Sequence, residues 1–136
     1  MAPLLVFVHV AANVVWIGSI LAVVVALTAS SGDVATRGSI AVSIYKKLSM
    51  PAFIVSFVAG VCRLVLDTGY YFSATKFMHG KLTFAVAVIA LHHVIGARAK
   101  RAAAGQSPTA GNVGILGIAL FVAAACASFF AIVKPF

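Results

Sequence analysis

The chain has 136 residues, 63% hydrophobic and 9% charged, with a mean hydropathy of +1.15. No water-soluble domain of this length carries so few charges, and the length allows a single domain, 1–136. The net charge of +8 rests on ten Lys/Arg against Asp33 and Asp67 alone, an excess that in a membrane chain reflects basic loops rather than a nucleic-acid partner.

The first apolar stretch runs from about Pro3 to Ala29, with His9 and Asn13 as its strong polar groups. It has no basic n-region and exceeds the length of a signal-peptide core, so it reads as a span, although Thr28-Ala29-Ser30 offers small residues at its end. His9, Ala12, Asn13 and Trp16 follow i, i+3, i+4, i+7 and share one helix face. Lipid offers such groups no partners, so this face should point into the bundle.

Ser30-Ser31-Gly32-Asp33 is a turn. The second span is expected over about 48–66, with a long variant starting near Thr36 because Lys46 and Lys47 can snorkel. Pro51 marks its start or a kink. The next loop, from Asp67 to Met78, holds Tyr70, Tyr71, Phe72 and Phe77, an interfacial aromatic belt. The third span is expected over about 79–97 and carries His79, Lys81, His92 and His93. A small, polar third loop over about 102–112 leads to the fourth span, about 113–133. That span holds Gly114, Gly117, Ala123, Ala124, Ala125 and Ala127 and reads as packing surface, within the bundle or between copies of a homo-oligomer. Cys62 and Cys126 lie inside spans and have no zinc spacing.

The four runs are continuously apolar rather than alternating, so helices are expected and a barrel is not. The fold class is all-α, an integral membrane four-helix bundle in the lipid bilayer. Loops one and three hold Arg37, Lys46, Lys47, Arg98, Lys100 and Arg101, against Arg63, Lys76, Lys81 and Lys134 on the other side. The positive-inside rule therefore places loops one and three in the cytoplasm and both termini outside, in a multi-pass protein of the cell inner membrane.

Ionisable groups in a bilayer are costly and suggest function. His79 and His93 are 14 residues apart, which on one helix is about 21 Å and nearly the same face. Such spacing suits haem ligands at two depths. With the termini outside, His9 and His79 lie at similar outer depth and form the candidate bis-His pair. Arg63, Lys76 and Lys81 lie on that side and could meet haem propionates. The inner side offers His92, His93 and Met50, a possible His–Met site. Copper suits such ligands too, but three Met and two Cys do not cluster. Two acids preclude most hydrolytic chemistry.

The run from His9 through Trp16 to Gly18 resembles the first helix of the HemJ-type protoporphyrinogen IX oxidases, and more loosely the CopD-like membrane domains. Tyr45-Lys-Lys-Leu48 with Pro51 and Gly60 is similar to the family's second helix. His79-Gly-Lys81-Leu82, followed by His92, is similar to its His-x-Lys-Leu motif and later histidine. The resemblance implies haem b as cofactor, oxidation of protoporphyrinogen IX to protoporphyrin IX, and a membrane electron acceptor. It implies His9 and His79 as iron ligands and His92, Trp16 and Asn13 as further cofactor contacts. Lys81 and Arg63 are the cations expected to act in the reaction. The stretch Ile20 to Leu27 lacks the Arg and His that the family carries at the end of its first helix. A non-enzymatic haem- or copper-binding electron-transfer protein is the alternative.

Overall fold

The computed structural model describes residues 2–74, 76–107 and 110–134. Five α-helices run in chain order: α1 (Ala2–Thr28), α2 (Val34–Ile44), α3 (Met50–Leu66), α4 (Phe77–Ala103) and α5 (Ala110–Val133). A π-helical turn, Tyr45–Ser49, joins α2 to α3, and a second one, Tyr70–Ala74, precedes α4. No strand occurs among the described residues. Four continuous helical segments are long and apolar enough to cross a membrane: Pro3–Thr28, Val34–Leu66, Phe77–Ala103 and Asn112–Val133.

The expected spans are all present, but two are longer than the apolar stretches suggested. The second begins at Val34, close to the long variant from near Thr36 and not near 48, because Asp33 caps α2 through its carboxylate and the Thr36 backbone N–H at 2.9 Å. The third extends to Ala103 instead of 97, since its basic last turns suit a helix C-terminus as well as an interface. Residues 108 and 109 of the third loop, and the C-terminal Phe136, lie outside the described residues.

The π-turn has a chemical cause. Pro51 has no N–H to donate and its ring would meet the carbonyl of Lys47 in an uninterrupted α-helix. One wider turn relieves this: the Met50 N–H reaches back five residues to the Tyr45 carbonyl. The turn aims Tyr45, Ser49 and Met50 at α4.

A ladder of contacts fixes relative depth. Gly38 of α2 lies against Ala102 and Ala103, Tyr45 against Gly96, and Met50 and Trp16 against His92. Toward the opposite end, Ser56 and Gly60 of α3 lie against His9, and Gly80 lies against Phe130 of α5. Gly117 of α5 receives Val24 of α1. From His79 to Arg98 the rise along α4 is about 28 Å, close to the hydrocarbon thickness. Arg63 and Lys81 therefore sit near one interface. Lys46, Lys47, Arg98, Lys100 and Arg101 sit near the other.

The core is small. Ile20, Val23, Ile95, Leu120 and Val113 are fully buried, alongside the polar Ser49, Ser56 and His92. Most large apolar side chains instead face outward: Val14, Val25, Ile115 and Ile118 are each at least 65% exposed. Against water that would be a liability; against acyl chains it is the favourable arrangement.

Candidate functional site

Two polar assemblies lie inside the bundle, each built around one histidine. The first joins α1 to α3 in the half of the membrane nearer the termini. His9 donates its Nδ1–H to the Ser56 carbonyl at 2.8 Å, with the Ser56 hydroxyl 3.3 Å away. Its Nε2 accepts from the Asn13 amide at 3.1 Å. The amide comes from one turn along α1, the direct result of the i, i+4 spacing. Gly60 makes room for the ring: a Cβ there would stand 2.9 Å from His9 Cε1.

Two cations belong to this region. Lys81 of α4 is half-buried and close enough for its charge to act on His9. It has no hydrogen bond or ion pair among the described residues. Arg63 lies one turn beyond Gly60 on the same face of α3. Its guanidinium sits 5.7 Å from the centre of the Tyr71 ring, and its Nε is buried with no hydrogen-bond partner among the described residues.

His79 takes no part in this assembly. It is exposed and lies edge-on to Phe72, with ring centroids 5.8 Å apart. It is two residues from Lys81, about 200° round the helix. Lys81 is half-buried and His79 exposed, so the two side chains lie on different faces of α4. Equal depth suggested a His9–His79 pair; angular position separates them.

The second assembly surrounds His92, which is fully buried. Trp16 donates its indole N–H to His92 Nδ1 at 3.0 Å, and the Ser49 hydroxyl lies 3.4 Å from the same atom. An indole N–H can only donate, so Nδ1 is the acceptor and the ring proton sits on Nε2. That Nε2–H faces Met50 Sδ at 3.4 Å. Tyr45 and Phe53 lie against the ring, at 5.0 and 5.2 Å between centroids. His93 points outward, and the Tyr45 hydroxyl lies 3.4 Å from its Nδ1.

The expected His92–Met50 proximity is thus present, but the two are bonded to each other. A metal on neutral His92 Nε2 would require the proton to move to Nδ1, where the Trp16 N–H already points. His9 has the opposite arrangement: its proton is on Nδ1, held by a carbonyl, and Nε2 is a lone pair under a rotatable amide. A backbone carbonyl on the distal nitrogen is the usual orienting contact of a metal-binding histidine. Trp16 and Asn13, predicted as partners on one face, serve different histidines. No group of three or more His, Cys, Asp or Glu side chains suited to a metal occurs among the described residues. Cys62 and Cys126 are both free thiols.

Ser49 and Ser56 were not singled out from the sequence, and Tyr45 and Gly60 entered only through the resemblance of the second helix, with no role at a site. A signal existed: Ser49, Ser56 and Arg63 recur every seven residues on an otherwise apolar helix, and buried Ala52 and Ala59 complete the stripe. No protein-family model, no curated protein and no solved structure matches this chain.

Proposed function

We propose that this chain is a haem-b-binding membrane oxidoreductase that oxidises a porphyrinogen, as the HemJ-type oxidases it resembles do. The observation that carries the reading is the state of His9: Nδ1–H fixed on the Ser56 carbonyl, Nε2 a lone pair covered only by Asn13. Haem iron is held by neutral imidazole in this tautomer. The chain's residues fit that group in a second respect. Among the described residues Arg63 carries a buried N–H without an acceptor and Lys81 an ammonium without a partner, and a haem or porphyrinogen brings carboxylates. His9 would hold the iron, Ser56 would orient the ring, and Arg63 and Lys81 would hold carboxylates.

Bound haem would supply one-electron redox chemistry, passing electrons to a membrane acceptor. The protein's part is binding, orientation and exclusion of water. Asn13 must turn aside for Nε2 to bind, and its amide then becomes a donor beside the site. His79 remains a residue of the same end of α4, exposed and with its ring against Phe72. We assign loops one and three to the cytoplasm and the site to the outer half of the membrane, from the six-to-four division of Lys/Arg.

The test is the absorption spectrum of the purified protein, reduced and oxidised. A Soret band with sharp reduced bands, lost in His9→Ala and kept in His79→Ala, supports the reading. Rescue of a strain lacking its porphyrinogen oxidase then separates an enzyme from a carrier. One observation favours a second reading, a bundle whose histidines only join helices: both nitrogens of His9 and of His92 are already bonded within the protein. A colourless protein with unimpaired haem supply decides for it.

A further inference from the structure

Lys46 and Lys47 stand in the middle of a continuous helix, exposed on its surface, with twelve helical residues before them. Tyr45 is level with Gly96, so both lysines lie about one helical turn or less from the depth of Arg98. They are near the loop-one interface, on its hydrocarbon side, within reach of it by extension of the side chain. The chain offers them no counter-charge: ten cations face two acids, and one of those, Asp33, is engaged as the cap of α2.

Lys47 is also the charged end of a groove. α1 runs antiparallel to the π-turn and α3, and each side contributes five positions at spacing i, i+1, i+4, i+5, i+8, lining an open groove of about 440 Å³ on the outer surface of the bundle. Ala11, Ala12 and Ala52 form its floor, Phe7 closes the far end, and Lys47 is its one charged lining residue. Small residues in the middle and larger ones along the rim make it concave. From the Lys47 level to the Val55 level it is about 12 Å long, directed from the loop-one interface toward the membrane middle. A lipid in that leaflet has the same layout, with phosphate at the interface and an acyl chain pointing inward.

We propose that this groove binds one anionic phospholipid from the leaflet on the loop-one side, its phosphate on Lys47 and Lys46 and one acyl chain between α1 and α3. The occupant follows from charge complementarity. A neutral isoprenoid would fill the apolar length and leave both ammonium groups unpaired. A second copy of the chain would bring further cations to the same place. The inference does not depend on haem.

The test uses the full-length protein in nanodiscs made from equal parts of phosphatidylglycerol and phosphatidylcholine with matched acyl chains, released for native mass spectrometry. Each basic residue near the surface should contribute about five-fold, so wild type should retain phosphatidylglycerol over phosphatidylcholine by about 30-fold. The double variant Lys46→Gln, Lys47→Gln should fall to near parity, with Lys47→Gln alone intermediate. Ala52→Leu, which fills the floor, should lower total retained lipid while helix content by circular dichroism stays unchanged. Equal retention of the two lipids by wild type overturns the proposal. So does unchanged preference in the double variant. Retention of an added isoprenoid quinone in place of phospholipid, or cross-linking of Lys47 to a second copy with no lipid bound, assigns the groove to another occupant and overturns it as well.

Discussion

Gly60→Ala puts the histidine site under a defined strain. An added Cβ would lie 2.9 Å from His9 Cε1 and 3.1 Å from Nδ1. Ordinary carbon contacts begin near 3.5 Å, so the ring must retreat by about 0.6 Å. It is held by a 2.8 Å bond to Ser56 and a 3.1 Å bond from Asn13, and a shift of that size takes one of them to the limit of a hydrogen bond. Interhelical hydrogen bonds in membranes contribute about 0.6 kcal/mol on average and reach about 1.7. Overpacking adds about 1–3 kcal/mol. Against this, alanine improves helix propensity over glycine by roughly 0.5–1 kcal/mol. The unfavourable side wins by about 1–3 kcal/mol. Thermal unfolding in detergent should show a lower midpoint for Gly60→Ala, and haem content, where haem is bound, should fall with it. A variant as stable as wild type, or more stable, with unchanged haem would show that His9 is not held between Ser56 and Asn13 as described.

Three other perturbations report on separate contacts. Gly38→Ala drives a Cβ into the backbone of α4, with Ala103 Cα at 2.7 Å, so α2 must separate from α4; a loss of about 1–3 kcal/mol in reversible unfolding in mixed detergent is expected. Trp16→Phe removes the indole donor to His92 and should cost about 0.6–1.7 kcal/mol in the same assay; Ser49→Ala on top should cost more than it does alone, because the Ser49 hydroxyl is the remaining donor to Nδ1. Asp33 has its carboxyl held below the usual range, first by the Thr36 backbone N–H and then by the Thr36 hydroxyl. A depressed folded value means that the cap stabilises above the unfolded carboxylate value and is lost as pH falls through the folded one; the thermal midpoint of wild type should therefore converge on that of Asp33→Ala in acid and exceed it at neutral pH.

The spans were legible because twenty apolar residues have one use, and the polar face of α1 because i, i+4 and i+7 must fall together on a helix. The length of the second span was legible only as one of two variants, because Val34 to Ile44 is only mildly apolar and is held by the Asp33 cap and by contact with α4 rather than by lipid alone. The π-turn was signalled by Pro51 only as a kink; that the wider turn would present Tyr45, Ser49 and Met50 together to His92 depends on tertiary packing. For His79, only depth along the helix was weighed; direction round it was not compared with Lys81, two residues away.

The contrast between the two buried histidines could not have come from residue spacing at all. Each is bonded to one α1 polar group, Asn13 for His9 and Trp16 for His92, and each has its other nitrogen bonded to α3. What separates them is the kind of group on the first nitrogen. Ser56 meets His9 with a backbone carbonyl, which only accepts, and so leaves Nε2 as a lone pair. Trp16 meets His92 with an indole N–H, which only donates, and so puts the proton on Nε2. The same imidazole is thereby made a prospective ligand in one place and a helix-joining donor in the other. Exchanging these roles would require reversing a donor and an acceptor: Trp16→Phe with Ser49→Ala frees His92 Nδ1 from both, and only then does His92 Nε2, beside Met50 Sδ, gain the tautomer a metal needs. Binding of Cu(I) by that double variant with Met50 intact, and its loss on Met50→Leu, is the expected result in anaerobic titration; equal Cu(I) binding at this site by wild type would refute the assignment of the His92 proton.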